Sequence, residues 1–262
     1  MSVKIFGKSA QVTVFIVVAI IVVVAFGIFY FTKGNIKSVS QEPSVLSSEG
    51  ISSTIQNCVD ITLLNGLIYI GEHGGYYALP SNSLNDELVQ TAYYYVDGRS
   101  SVPSVDEMER QAGLYINDNL ESCMLEDLSG YENFDFSLAQ SVQSEVSIEG
   151  DVVKTQVIYP ITITQNDGVT NFKDFSSEVK SVRINTIHRA VSEATGDQLA
   201  SPNLICASCL LEIAENYDLY IDFQYIDSEN VVFNVIDYQS NVYDNPYIFV
   251  YANKYTTEVA EQ

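Results

Sequence analysis

The sequence contains no tryptophan, and it has only two histidines, three methionines and twelve basic side chains in 262 residues. Each histidine, His73 and His188, lacks a partner at the spacing that a metal pair or a catalytic triad requires. The chain also has no G-x-S-x-G elbow, phosphate-binding loop, Rossmann fingerprint or H-E-x-x-H motif. The sequence therefore gives no support to a hydrolase, a nucleotide-binding protein or a zinc protease. We predict no catalytic residue, cofactor or metal ion.

Acidic side chains are absent from the amino-terminal part of the chain and abundant after it. The first is Glu42, and beyond residue 41 there are 34 acidic against 8 basic side chains, a net charge of −26. Such a surface is repelled by nucleic acids and by anionic lipid headgroups. The charge therefore argues against nucleic acid as a partner.

One long apolar run, QVTVFIVVAIIVVVAFGIFYF, occupies residues 11–31 and carries no charge. A helix from Val12 to Phe31 would rise roughly 30 Å, which is the thickness of the hydrocarbon layer of a bilayer. The run is longer than the roughly 7–15 apolar residues of a secretory signal. We predict a basic cytoplasmic leader over residues 1–10, a transmembrane helix over residues 11–32, a flexible tether over residues 33–50 and an acidic α+β domain over residues 51–262.

The orientation in the membrane is inferred from acid content and cysteine, because the lysines beside the apolar run are balanced, Lys4 and Lys8 against Lys33 and Lys37. The chain has an even set of four cysteines, Cys58, Cys123, Cys206 and Cys209. An even set is typical of two disulfides in an oxidising compartment. We therefore expect the amino terminus in the cytoplasm and the carboxy-terminal domain outside the cell. Four reduced thiols in a cytoplasmic domain are the alternative.

The apolar spacing beyond the tether indicates both helices and strands. Helical spacing extends from Ile51 to about Gly71, and again after a capping box at Ser104 and Glu107 as far as about Leu128. Two later helices are expected, one over about residues 177–194 and one opening at Ser201 and Pro202. Between and after them, alternating segments with Glu-Gly-Asp and Asn-Asp-Gly turns predict hairpins, and Pro160 predicts an edge or a bulge. The pattern is that of an α+β domain with about four helices on one face of an antiparallel sheet.

Two hypotheses concern the cysteines. Cys58 and Cys123 both lie on the apolar stripes of their predicted helices, so a bridge between them would join the first two helices of the domain, although four cysteines allow three connectivities. Cys206 and Cys209 form a Cys-x-x-Cys motif, in which a thiolate at a helix amino terminus would be redox-active. The flanking leucines and isoleucine instead favour a structural disulfide or buried thiols. A zinc site of four cysteines is the least supported alternative.

The eighteen tyrosines allow two interpretations. Tyrosine supplies a large amphipathic contact area, so an exposed set would form a binding surface. The same residues also suit buried strands. Acidic loops such as SNSLNDE and IDSEN contain oxygen ligands that calcium prefers, but none follows a known calcium loop, and solvated loops are the simpler interpretation.

The beginning of the chain resembles a known class of archaeal proteins. The basic leader KIFGKSA followed by QVTVFIVVAIIVVV resembles type IV pilin-like precursors with class III signals, and in particular uncharacterised archaeal single-span surface proteins. The later stretches NCVDITLLNGLIYIGEHGGYYALP, SVDEMERQAGLYINDNLESC and DVVKTQVIYPITIT are similar to that group as well. The resemblance implies insertion by an apolar amino-terminal helix, and cleavage between Ala10 and Gln11 would make Gln11 the first mature residue. Pilins usually carry a glutamate at the fifth mature position, where this chain has Phe15.

The functional prediction is a membrane-anchored extracytoplasmic surface protein with a structural or binding role. Its partners would be membrane lipid, through the amino-terminal helix, and an unknown protein or surface. One alternative is a pilin-like filament subunit, which would form a homo-oligomer. The other is an extracytoplasmic thiol–disulfide protein that uses Cys206 and Cys209.

Overall fold

The computed structural model describes residues 48–255, apart from positions 167 and 203. The predicted leader, the predicted transmembrane helix, most of the predicted tether and the processing site at Ala10 and Gln11 lie outside the described residues. Within residues 48–255, no helix is both long and apolar enough to cross a membrane.

The described chain contains four helices, here α1 to α4: Ser48–Glu72, Val105–Leu128, Ile184–Ala200 and Ala207–Tyr217. The first two agree with the periodicity of the sequence. Ser104 caps α2 by accepting a hydrogen bond from the Glu107 N–H at 3.1 Å. The Glu107 carboxylate does not complete the capping box, because it accepts hydrogen bonds from Arg110 and Gln111.

The last two helices begin later than predicted. Residues 177–179 end a strand rather than begin α3, because Val179 pairs with Val153 across a sheet. The predicted cap at Ser201 is also wrong. The chain makes a turn there, in which the Leu204 N–H donates to the Ser201 carbonyl at 3.2 Å, and α4 is capped instead by Cys206.

The described residues form ten strands, β1 to β10: Ser83–Asn85, Gln90–Val96, Arg99–Ser100, Asp135–Leu138, Gln143–Glu149, Val152–Gln165, Gly168–Val179, Tyr220–Tyr225, Asn230–Val242 and Asn245–Lys254. They form two sheets rather than one. The first has the order β1-β2-β10-β9-β8, with β3 paired to β2, and the second joins β4, β5 and β7 to the long strand β6. The prediction of an α+β domain with four helices is confirmed, but the prediction of one antiparallel sheet is wrong, since β2 and β10 run parallel.

The first helix connects the two sheets. α1 packs against α2, against β7 of the second sheet and against β10 of the first, whereas α3 and α4 pack against each other. Pro160 lies within β6 at a register shift between Ile158 and Ile161. The bulge predicted at this proline is therefore confirmed. Proline has no N–H to donate, and the register shift leaves Pro160 out of the pairing between β6 and β7.

Six tyrosines of the described chain are buried on strands and belong to the core, Tyr93, Tyr94, Tyr95, Tyr159, Tyr247 and Tyr251. The interpretation of tyrosine as a strand residue therefore holds for these positions. A smaller set, including Tyr220 and Tyr225 on β8, is exposed and remains available for contact.

Candidate functional site

Arg183 fixes the end of α4 beside the first sheet. Its guanidinium forms an ion pair with Asp237 on β9, with Nη2–Oδ1 at 2.5 Å and Nε–Oδ2 at 3.0 Å. The same guanidinium donates to the carbonyl of Asp218, which follows the last turn of α4. A cation at the carboxyl end of a helix is stabilised by the helix dipole. The arrangement therefore positions both α4 and the short connection that leads into β8.

Next to the Arg183–Asp237 ion pair, the surface forms a groove with a volume of about 490 Å³. We call it the α4–β8 groove. Its helical wall includes Leu210, Leu211 and Ala214, and its strand wall includes Tyr220 and Phe223. Leu211 is 62% exposed and Tyr220 is 51% exposed, so two large side chains of the groove lie open to solvent. The volume is that of a ligand-binding cleft.

The strand wall of the groove is an edge of the first sheet. β8 ends the strand order and pairs with β9 alone among the described strands. Edge strands of soluble proteins usually carry lysine or proline, or are covered, because their free backbone groups pair with other chains. The sequence of β8, YIDFQY, has neither residue, and its one charged side chain is Asp222, which accepts a hydrogen bond from the Phe223 N–H. Its backbone edge is therefore a site at which an extended chain could add.

The groove is negatively charged. Three of its lining residues are acidic, Glu215, Asp218 and Asp222, and none is basic. Glu215 and Asp222 are exposed, and Asp218 accepts a hydrogen bond from the Gln239 amide. Two cations lie close to this region: Arg183 donates to the Asp218 carbonyl, and Arg189 lies over the ring of Tyr217 at 5.5 Å. A bound ligand would therefore meet apolar walls with an acidic rim.

At the amino end of α4, Cys206 and Cys209 form a disulfide. Cys206 is the cap residue, and its sulfur accepts a hydrogen bond from the Cys209 N–H at 3.2 Å. The following residues, Ala207 and Ser208, are exposed. The pair therefore lies at an open helix amino terminus, in contrast to the burial that the flanking apolar residues suggested.

A small cavity lies behind this disulfide, between α3, α4 and the first sheet. Its lining includes both cysteines, Asp197, Gln198 and Asn253. Its volume of about 10 Å³ is close to that of one water-sized probe. Burial raises the pKa of the nearby Tyr255 to about 12, and the neutral hydroxyl donates to Gln198 Oε1 at 2.7 Å.

Cys58 and Cys123 form the other disulfide and join α1 to α2, as the sequence hypothesis predicted. The two bridges close loops of very different length, with sequence separations of 65 and 3. In the chain-entropy account, the first stabilises the fold by about 4 kcal/mol and the second by about 2 kcal/mol. Cys58–Cys123 is therefore the main structural disulfide.

Among the described residues, one group of side chains that can bind metals lies close together. The one close group of metal-ligand type, Cys58, Cys123 and Asp127, contains two sulfurs already bonded to each other. The four cysteines of the described chain are paired as two disulfides, Cys58–Cys123 and Cys206–Cys209. His73 and His188 each bond to a backbone carbonyl, those of Tyr69 and Pro103.

Sequence reasoning missed two buried polar residues that matter here. Asp237, wholly buried, interrupts the alternation of β9, and a buried acid on a strand signals a cationic partner elsewhere. Asn253 is only 2% exposed, and its Oδ1 has no hydrogen-bond partner. No sequence signal identifies Asn253, because its position beside the cysteines depends on the pairing of β10.

Comparison with known proteins adds no further assignment. No protein family, curated protein or solved structure shows significant similarity to this chain. Function has therefore to be inferred from the geometry of the described residues.

Proposed function

We propose that the chain is a membrane-anchored surface protein whose extracellular domain binds an extended, positively charged segment of a partner protein in the α4–β8 groove. The observation that carries the proposal is the open edge of β8 next to an apolar groove with an acidic rim. The apolar run at residues 11–31 supports anchoring, and the acidic composition supports an extracellular domain.

The chemistry of the groove favours an extended polypeptide over other ligands. A segment that added to β8 would pair with the outward N–H and C=O groups of the strand, except that the Phe223 N–H already donates to Asp222 Oδ1 at 2.9 Å. Alternate side chains of the segment would reach the helical wall. Leu211 and Tyr220 would contact its apolar side chains. Glu215 and Asp222 would attract its lysines or arginines, and this attraction would speed association.

A second copy of the same chain is a less suitable occupant. Two β8 strands paired edge to edge would bring two acidic rims together, and like charges across an interface are unfavourable. The whole domain also carries a strong negative charge, which opposes self-association at low ionic strength.

Binding is tested with a synthetic peptide of alternating valine and lysine, titrated against the purified full-length chain in detergent. We expect the double variant Glu215→Gln and Asp222→Asn to weaken binding about tenfold, since each exposed charge contributes up to about 1 kcal/mol. The double variant Glu126→Gln and Glu132→Gln removes two exposed charges elsewhere and serves as the control. Equal weakening by both pairs would mean that only overall charge attracts the peptide.

Membrane placement is tested separately on intact cells. Externally added protease should degrade the domain, and fractionation should recover the full-length chain with membranes. A domain that survives protease until the cells are lysed, or full-length chain in the soluble fraction, would contradict the proposed localisation without affecting the peptide measurement.

A further inference from the structure

The lining of the cavity behind Cys206 and Cys209 includes Asn253, whose side-chain oxygen is a buried acceptor without a donor. Asn253 Oδ1 has no hydrogen-bond partner, although the Asn253 side chain is almost wholly buried. Its amide group is oriented by donation from Nδ2 to the Tyr255 hydroxyl at 3.3 Å. Leaving such an acceptor unpaired is unfavourable, so a donor is expected in the cavity in some state of the protein.

The neighbouring polar side chain does not supply that donor. Gln198 Nε2 donates to the carbonyls of Ser201 and Leu204, at 2.8 and 3.2 Å. Its Oε1 accepts from Tyr255. The other candidates in the lining are a single water, for which the cavity has room, and the S–H group of a reduced cysteine.

The sulfur of Cys206 lies where a thiolate would be stabilised. Cys206 caps the eleven-residue helix α4, and its sulfur accepts the Cys209 N–H. The unpaired N–H groups and the dipole at a helix amino terminus favour a negatively charged sulfur. Cys206 is therefore the sulfur favoured as a thiolate, and Cys209, which lines the same cavity as Asn253, is the sulfur left to act as the thiol.

We propose that Cys206–Cys209 is an exchangeable disulfide that oxidises the dithiol of another protein. A thiolate of the partner attacks Cys206 Sγ, the Cys206–Cys209 bond breaks, and Cys209 leaves with the electron pair. Cys209 takes a proton that the partner's thiols release to solvent, and its S–H donates to Asn253 Oδ1. The second thiolate of the partner then attacks the partner's own sulfur in the mixed disulfide and releases Cys206 as a thiolate held by the Cys209 N–H.

The overall exchange is balanced. The partner loses two electrons and gains a disulfide, while Cys206 and Cys209 gain two electrons and become a thiolate and a thiol. The activity does not depend on the α4–β8 groove, because any accessible dithiol could react. The bridge contributes little to the fold, so its reduction would leave the domain folded.

The test uses the full-length chain in detergent, equilibrated in glutathione buffers of increasing reducing strength. Free thiols are trapped with an alkylating reagent, and each pair is quantified by mass spectrometry. We expect Cys206–Cys209 to become half reduced at a ratio of reduced to oxidised glutathione about 100-fold lower than Cys58–Cys123 requires. Cys58–Cys123 serves as an internal reference in the same molecule.

Two variants separate the proposed thiol contact from general packing. Asn253→Leu removes the acceptor and should shift Cys206–Cys209 about fivefold toward the disulfide, the value of one hydrogen bond. Tyr255→Phe removes the hydrogen bond to Asn253 Nδ2 but leaves Oδ1 in place, so it should cause a smaller shift. Neither change should alter the midpoint of Cys58–Cys123.

The thiolate is measured directly in Cys209→Ser, by the ultraviolet absorbance of Cys206 against pH. A midpoint below about pH 7.5 is expected for a sulfur at a helix amino terminus. The proposal is overturned if Cys206 titrates near the ordinary value of about 8.5, or if both disulfides are reduced over the same range. It is also overturned if Asn253→Leu and Tyr255→Phe shift the midpoint equally.

Discussion

Arg183 and Asp237 form an ion pair in which the carboxylate is wholly buried and the guanidinium is partly open to solvent. Ser240 and the Gln239 N–H also donate to this carboxylate. Burial tends to raise the pKa of Asp237, but the hydrogen bonds from Arg183, Ser240 and Gln239 outweigh it and hold the pKa below its usual value. Because Arg183 also bonds to the end of α4, the pair supports one wall of the groove.

Replacing Asp237 with asparagine should lower the free energy of unfolding by roughly 3 kcal/mol, because Arg183 would then lose its charged partner in a mostly buried site. Chemical denaturation near neutral pH measures the loss. The matched control is Lys154→Gln, which removes the exposed pair with Glu149 and should cost less than about 1 kcal/mol.

The same variant should show a distinct dependence on pH. A carboxyl whose pKa is lowered on folding contributes stability above its unfolded pKa of about 3.9, and this contribution is lost as pH falls through the folded value. The difference between the native protein and Asp237→Asn should therefore be constant above about pH 5 and shrink below about pH 4. A difference that grew with acid would show that the carboxylate is not stabilised by folding.

The two disulfides should differ in their effect on stability. Replacing Cys58 and Cys123 together with alanine should reduce the free energy of unfolding by about 4 kcal/mol, since the long loop is released in the unfolded chain. Replacing Cys206 and Cys209 should cost about 2 kcal/mol or less. Denaturation of both double variants under the same conditions checks the order, and a larger loss for the short loop would contradict it.

Two helical glycines should respond in opposite directions to alanine. At Gly71 near the end of α1, an added Cβ would lie 2.7 Å from Tyr247 Cζ and 2.9 Å from the Ile248 carbonyl oxygen. Gly71→Ala should therefore cost about 1–3 kcal/mol. At the exposed Gly196 of α3 nothing lies within 4 Å, so Gly196→Ala should add about 0.5–1 kcal/mol. The melting temperatures of the two variants measure this contrast.

The elements that depend on local signals could be predicted from the sequence. The apolar stripes and the Ser104 cap were sufficient for α1 and α2, and the stripes also brought Cys58 and Cys123 to facing positions. The start of α3 could not be located in this way. Val179 and Val182 have helical spacing, but Val179 is required by its pairing with Val153, and a long-range sheet contact overrides a local pattern.

The surroundings of the cysteines in the candidate site depend on such a long-range contact. Ala252 pairs with Tyr93 in the parallel contact between β10 and β2, and no local signal indicates that pairing. This pairing fixes the place of β10, and therefore of Asn253, in the first sheet, whereas the edge position of β8 follows from the consecutive antiparallel pairs β8–β9 and β9–β10. The motif at Cys206 and Cys209 was visible in the sequence, whereas its cavity and its unpaired acceptor were not.

The most direct test of the binding proposal is photo-crosslinking of the valine–lysine peptide to the full-length chain. A benzophenone amino acid replaces Tyr220 in the groove or, as the control, Tyr243, which is similarly exposed at 56% but lies outside the groove. We predict a peptide adduct at position 220 that is lost on adding excess unlabelled peptide, and no adduct at position 243. Equal labelling at both positions, or labelling at position 243 alone, would contradict the assignment of the α4–β8 groove as the binding site.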